Sequence, residues 1–304
     1  MVSRISVVIP TFNAGRYIHK LLTSINSQTI PCEVVVIDSS SADNTVAISK
    51  SYGAKIISLK KEDFNHGRTR NLAVLQTSGD IIVFLTQDAL PYDEYCIEKL
   101  TKPLEQADVA VPIKNDVAAS YGRQIPDDIA KPTERFARCF NYPETPVVRG
   151  IEDATKSGIK TFFFSNVFSA IRRHEFEMVG GFPEDLIMFE DMIFAAKLML
   201  KGYRIAYTQD AKVIHSHDYS WGEQFQRYLQ AGVSFKKNSW FLEFARSDSE
   251  GIKFLIEEVK YLLQSSSYRW IFYAIVEAMF KYSGYKIGLN YDKIPYLRKK
   301  HRNE

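Results

Sequence analysis

Two acidic positions, far apart in the chain, carry the chemistry this sequence could perform. Asp88 follows the apolar run Ile81–Leu85, and Glu190-Asp191 opens a segment with helical periodicity. A strand-end carboxylate can hold a divalent cation against a phosphate-rich ligand. A carboxylate at a helix start can take the proton of an attacking hydroxyl. Together they suit displacement of a phosphate leaving group by a hydroxyl. Glu190-Asp191 also has a plainer explanation, because acids in a first helical turn complement the helix dipole. That location is expected to keep Asp191 ionised, the state a base needs before attack.

The elements around these acids read as an α/β domain. Val7-Val8-Ile9 ends at Pro10, Val34–Ile37 ends at Asp38, and Ile56-Ile57 and Ile81–Leu85 are further strands. Between them lie a helix capped by Asn13 with Tyr17, Leu21 and Ile25 on one face, one from Asp43 to Tyr52, and one over Arg70–Leu75 ended by Gly79. β-Branched runs alternating with helices predict a mostly parallel sheet covered on both faces. Ligands of such sheets bind beyond the carboxyl ends of the strands, where Thr11, Asp38 and Asp88 fall.

Further on, residues 115 to 160, with Pro126, Pro132, Pro143 and Pro146, read as an irregular substrate-facing loop. Phe162-Phe163-Phe164 leads through Ser165-Asn166 to a turn at Gly180-Gly181-Phe182-Pro183 before the Glu190 helix, which stops at Gly202. Ile205–Tyr207 and Ala211–Ile214 read as two strands, followed by His215-Ser216-His217. From Trp221 the pattern is helical, with helices over Ile252–Leu263 and Tyr268–Tyr282. The expected organisation is a domain over 1–220 and a helical region over 221–304.

Bulk properties exclude several classes. The 304 residues suffice for one large core, and 45% apolar with 25% charged residues is ordinary for a globular protein. A net charge of +3 does not suggest a nucleic-acid partner, although Arg298, Lys299, Lys300, His301 and Arg302 cluster together. Cys32, Cys96 and Cys139 are widely spaced, which fits a reducing compartment and no zinc site. The chain runs directly into its first strand, so no signal peptide is expected. The apolar run Trp270–Phe280 is interrupted by Glu277 and is too short to span a bilayer.

The motifs resemble those of an inverting family-2 glycosyltransferase of the GT-A fold, in its bacterial rhamnosyltransferase branch. The similar segments are Val8–Asn13, Val36–Ser41, Phe64–Ala73, Phe84–Ala89, Gly180–Phe182 and Glu190-Asp191 through Gly202-Tyr203. They are individually short but occur in order and at compatible spacing over about 220 residues. The resemblance implies a Rossmann-like sheet sandwiched by helices, with a C-terminal helical extension.

It also implies roles. Asp38, otherwise readable as an Asx-turn, would accept a pyrimidine N3–H, with Pro10, Thr11 and Asn13 holding the base and ribose. His66, Gly67, Arg70, Asn71 and Gln87 would meet the rest of a dTDP-sugar or UDP-sugar donor, the diphosphate lying at a helix start. Asp88 matches the last acid of the family's DxD, while Thr86 and Gln87 replace its first two residues. A single carboxylate there suits Mg2+ or Mn2+ held largely by the donor's phosphates. His215 stands where some GT-A enzymes place a metal-binding histidine, although a lone histidine after a strand is as readily structural. Asp191 matches the general base, with Glu190 on an acceptor hydroxyl. Gln224–Tyr228 resembles a QxxRW box with Tyr for Trp, which puts Arg227 on the pyrophosphate.

Trp240, Phe241, Phe244, Trp270, Phe272 and Tyr273 beside Lys236 and Lys237 have two readings. They form either a membrane-surface helix pair or packing against the domain or a second copy. The implied protein is a cytoplasmic enzyme, peripheral on the inner face of the plasma membrane. It would transfer L-rhamnose to a glycan or lipid-linked glycan. Its rivals are a UDP-sugar hexosyl- or N-acetylhexosaminyltransferase and a glycan-binding protein of the same fold without turnover.

Overall fold

The computed structural model describes residues 3–105, 116–243 and 250–300. Phe244, His301 and Arg302 lie outside the described residues. The strands in chain order are β1 (Ile5–Thr11), β2 (Cys32–Asp38), β3 (Lys55–Ser58), β4 (Ile81–Leu85), β5 (Leu90–Pro91), β6 (Val117–Ile125), β7 (Val147–Arg149), β8 (Phe168–Arg172) and β9 (Arg204–Ile214). Among the described residues they form one sheet in the order β3-β2-β1-β4-β8-β6-β9-β5, with β7 also on β9. β1 to β4 are mutually parallel where they pair. β8 enters antiparallel between β4 and β6, and β6 then runs parallel to β9. The sheet is therefore parallel in its N-terminal half and mixed beyond it.

The helices are α1 (Ile18–Asn26), α2 (Thr45–Ser51), α3 (His66–Val74), α4 (Cys96–Thr101), α5 (Pro132–Asn141), α6 (Ala154–Ser157), α7 (Arg173–Met178), α8 (Glu190–Leu200), α9 (Trp221–Lys237), α10 (Ser239–Leu242), α11 (Glu250–Gln264), α12 (Arg269–Leu289) and α13 (Pro295–Lys300). Alternation along the strands splits the core in two. Val8, Ile82 and Phe84 face Phe164, Phe176, Phe182 and Phe194 on one side. Val7, Ile9, Val83 and Leu85 face α1 and α4 on the other. Burial on both faces explains the unbroken Val/Ile runs of the central strands.

Several expectations are corrected. The stretch read as an irregular loop contains β6, a nine-residue strand inside the sheet, and α5, which Pro132 starts at its first turn. The segment after Asn166 contains β8 and α7. The two strands expected around Tyr207 and Val213 are one strand, β9, whose register against β6 shifts between Gly122 and Arg123. Asn13 does not cap α1. It adopts a left-handed φ of 48°, and Tyr17 stands at the helix start. α3 ends at Val74, and Gly79 instead lets β1 pass close by, since a Cβ there would lie 2.6 Å from Ser6 N.

α9 and α12 pack backbone to backbone. A Cβ on Gly232 would lie 2.3 Å from Tyr285 O, and one on Gly288 would lie 2.1 Å from Leu229 O. α12 continues past Tyr282, where the sequence reading ends it, to Leu289.

Candidate active site

At the carboxyl ends of β1 and β2, Thr11 and Asp38 are register partners. Thr11 Oγ1 donates to Asp38 Oδ1 at 2.9 Å. Ser41 adds its N–H at 2.9 Å and its hydroxyl at 2.6 Å. A carboxylate offers about four lone-pair sites, so this buried acid keeps one acceptor position. Pro10 pairs with Ile37 just before this point. Asn13 donates its N–H to Ser41 Oγ and accepts that of Ala42, locking the two strand-end loops together. Gln87 pairs with both backbone groups of Phe12, accepting its N–H at 2.8 Å and donating to its carbonyl at 3.3 Å. Its amide thus ties the end of β4 to that of β1 rather than reaching outward.

Asp88 lies three residues beyond β4 and meets the end of β9. His215 Nε2 is 3.6 Å from Asp88 Oδ1, and His217 Nδ1 is 3.9 Å from Oδ2. One ligand atom from each of the three residues lies within 4.8 Å of the others. Burial works against the charge on Asp88, yet the neighbouring His215, then His217, hold its carboxyl well below the usual range. Burial lowers the pKa of both imidazoles, against the pull of Asp88, and His217 falls to about 3. The group is therefore one carboxylate and two neutral imidazoles at neutral pH, the protonation state a cation requires of its ligands. These residues fit a divalent metal. His217 escaped the sequence reading. Its signal was present, because alternate residues of an extended chain point the same way.

Asp191 sits in the first turn of α8. Its Oδ2 accepts the Asn166 N–H at 3.3 Å and its Oδ1 that of Met192 at 2.8 Å. Burial, then the neighbouring Glu190 charge, push its carboxyl up to about 7, against those two bonds and Arg70. The helix position predicts the opposite direction. Desolvation beside a second acid outweighs the dipole here.

Glu190 and Arg70 do not face ligands separately, as expected, but form a buried ion pair. Arg70 Nη1 is 3.1 Å from Glu190 Oε1, with side chains 6% and 7% exposed. The same nitrogen donates to His66 O at 2.9 Å. A buried charge needs its counter-charge, and α3 and α8 supply one each. Gly67 and Asn71 are likewise engaged within the protein. The N–H groups of Gly67 and Arg68 are capped by Asn65 Oδ1, and a Cβ on Gly67 would lie 2.0 Å from Pro183 O. Asn71 donates to Phe182 O and Glu184 and accepts the Phe182 N–H, so its amide holds the turn before α8.

His66 remains solvent-reachable. The protein around it lowers its pKa, opposed by Glu190 and helped by Arg70 and Arg227. Arg227, on α9, lies 4.5 Å over the Tyr219 ring, and Tyr219 stacks on His217. α9 thus brings a cation to the metal-fitting group. Asn13, Ser40 and Phe189 all hold a left-handed φ without being glycine and all border this region. Such strain collects where a site over-determines the backbone.

A sheet with these strand-end loops, an Asp/His group that fits a cation and an acidic helix start has the form of a glycosyltransferase of GT-A fold. Residues 6–179 match the family model for glycosyl transferase family 2, and the chain belongs to that family. It is 40% identical to the O-antigen chain rhamnosyltransferase RfbN of Salmonella typhimurium, over 96% of this chain and 91% of that protein. It is 37% identical to the O-antigen chain rhamnosyltransferase WbaN of Salmonella anatum, over 95% of this chain and 90% of that one. In fold it is similar to the mannosyltransferase PcManGT of Pyrobaculum calidifontis, solved with GDP-Man and Mn2+. That match has a TM-score of 0.60 and 19% identity, and covers 94% of this chain and 87% of that one.

Proposed function

We propose that this protein transfers L-rhamnose from dTDP-L-rhamnose to a hydroxyl of a growing surface polysaccharide, with inversion. Near-full-length identity to two O-antigen rhamnosyltransferases carries this reading. The acceptor oxygen forms a bond to the anomeric carbon as the bond from that carbon to the diphosphate breaks. Asp191 takes the hydroxyl proton, and a carboxyl with a pKa near 7 suits that task at neutral pH. Asp88, His215 and His217 would hold a divalent cation, which would supply neutralising charge for the leaving diphosphate. Two imidazoles favour a transition ion such as Mn2+ over Mg2+, which prefers oxygen ligands. Arg227 and His66 line the diphosphate, and Asp38 reads the base.

A UDP-N-acetylhexosamine donor is the second reading. It is favoured by 27% identity over 214 residues to the Staphylococcus aureus poly(ribitol-phosphate) beta-N-acetylglucosaminyltransferase TarS. Titration with dTDP, UDP, GDP and ADP, and transfer assays with dTDP-rhamnose and UDP-N-acetylglucosamine, separate the two. Binding of dTDP and UDP well above GDP and ADP is expected, with rhamnose transferred. Equal binding of GDP would remove Asp38 from base recognition.

The enzyme acts at the cytoplasmic face of a membrane. No helix among the described residues is long and apolar enough to cross one. α12 exposes Phe272, Ile275, Met279 and Tyr282 at helical spacing, and α11 exposes Ile252 and Ile256. Lys253, Lys260, Arg269 and Lys286 lie on the same helices. An apolar face with basic flanks suits an anionic lipid surface. Co-sedimentation with phosphatidylglycerol vesicles should be lost in Phe272→Glu/Met279→Glu. Unchanged sedimentation would leave that face to a second copy.

A further inference from the structure

We propose that Gln124 is a positioning residue that fixes the tautomer of His215 and so aims its Nε2 lone pair at Asp88. Gln124 lies on β6 and is 2% exposed. Its amide is fully used. Oε1 faces His215 Nδ1 at 2.8 Å and accepts from Arg138 Nη1, while Nε2 donates to Ser165 Oγ at 3.0 Å and to the Tyr142 hydroxyl.

An amide can be turned over without changing its shape, so its orientation must come from its partners. Arg138 supplies that information, because a guanidinium can only donate. The reversed amide would set its NH2 against Arg138 in a buried place, leaving donors opposed. With Oε1 so fixed, His215 Nδ1 must carry a proton. In the neutral ring the free lone pair is then on Nε2, the atom 3.6 Å from Asp88 Oδ1. A lone pair and a carboxylate facing each other across that gap form half of a cation's ligand set.

Helix α5 braces the second imidazole as well. Arg138 is paired with Glu134 at 2.7 Å, and Glu134 Oε1 accepts the His217 backbone N–H at 3.3 Å. Gln124 lies outside the group of Asp88, His215 and His217 that could hold the cation. Its influence passes through His215, as hydrogen-bond partners behind metal ligands commonly act. The inference rests on reading Asp88, His215 and His217 as the cation site, and it is independent of which sugar is transferred.

Imidazole 15N NMR on histidine-labelled, metal-free protein should show His215 protonated at Nδ1. Gln124→Met keeps the length but removes the acceptor. It should release the Nε2-protonated form and weaken Mn2+ binding, read by EPR of free Mn2+, by about 10–100-fold. Gln124→Glu keeps an acceptor for both His215 and Arg138 and should restore the tautomer and Mn2+ binding close to wild type. Arg138→Met should loosen the tautomer with Gln124 still in place, and it serves if Gln124→Met fails to fold. A purely structural role would lower the melting temperature of Gln124→Met while leaving tautomer and Mn2+ affinity unchanged. That outcome overturns the proposal, as does an Nε2-protonated His215 in the wild type. Sugar transfer is not measured, so a wrong donor assignment would not alter these results.

Discussion

Asp88 and Asp191 are chemically identical side chains that the fold drives in opposite directions. Burial raises the pKa of both. Around Asp88 the neighbours are two imidazoles, and the carboxyl stays ionised far below neutrality. Around Asp191 the nearest charge is Glu190, and the carboxyl rises to about 7. The first setting keeps a permanent anion, as the proposed cation site requires, and the second gives a carboxyl that exchanges its proton near physiological pH, as the proposed base requires. Environment, more than residue type, separates the two.

The sharpest way to break this contrast is to remove the acceptor of the proton. Asp191→Asn should lower the transfer rate by roughly 10²–10⁴-fold and leave donor and Mn2+ affinity nearly unchanged. Transfer at the wild-type rate would make Asp191 a helix-end residue only. Asp88→Asn should act on the other half, weakening Mn2+ binding and cutting transfer by about 10²–10³-fold. Full activity of that mutant, or of wild type in chelator, would exclude a cation held at Asp88.

Smaller effects sharpen the contrast. In the proposed mechanism the ionised form of Asp191 is the base, so kcat/KM should rise with pH through an apparent pKa of about 7. Glu190→Gln removes a charge that raises this value, so the acid limb should move to lower pH. A limb unmoved by that substitution would put the controlling group elsewhere. Stability has the matching sign. A carboxyl raised on folding binds more protons folded than unfolded, so its penalty appears as pH climbs from about 4 to about 7. Asp191→Asn should therefore gain melting temperature relative to wild type across that window. An equal offset at pH 5 and pH 8 would count against the raised pKa.

Legibility in the sequence followed burial. β1, β2 and β4 are read directly because strands buried on both faces become runs of Val and Ile. β6 escaped because its packing demands the reverse. Val117–Ile125 carries Ala, Ser, Gly, Arg and Gln, and a Cβ on Gly122 would meet Phe168 and Ala211 O at 2.5 Å. Missing β6 also hid Gln124, which no local pattern marks. Asp88 and Asp191 were visible as residues, but their protonation was not. What decides them is His215, more than a hundred positions from Asp88, and for Asp191 the burial that folding creates around it, with Asn166 brought against its carboxyl. Arg70, Gly67 and Asn71 show the converse, since residues in a functional-looking motif are occupied with α8 and the turn before it.

The close glycine contacts between α9 and α12 bear on how this enzyme can be recombined with its relatives. A cut at residue 220 looks natural on the chain, yet α9 begins one residue later and carries Arg227 to the ring beside His217. A chimera joined there would import its own residue at the place of Arg227, along with helix spacing set by its own residues at positions 232 and 288. Hybrids should keep α9 and α12 as a matched set, because any side chain larger than hydrogen at position 232 or 288 would run into the backbone of the facing helix that positions Arg227.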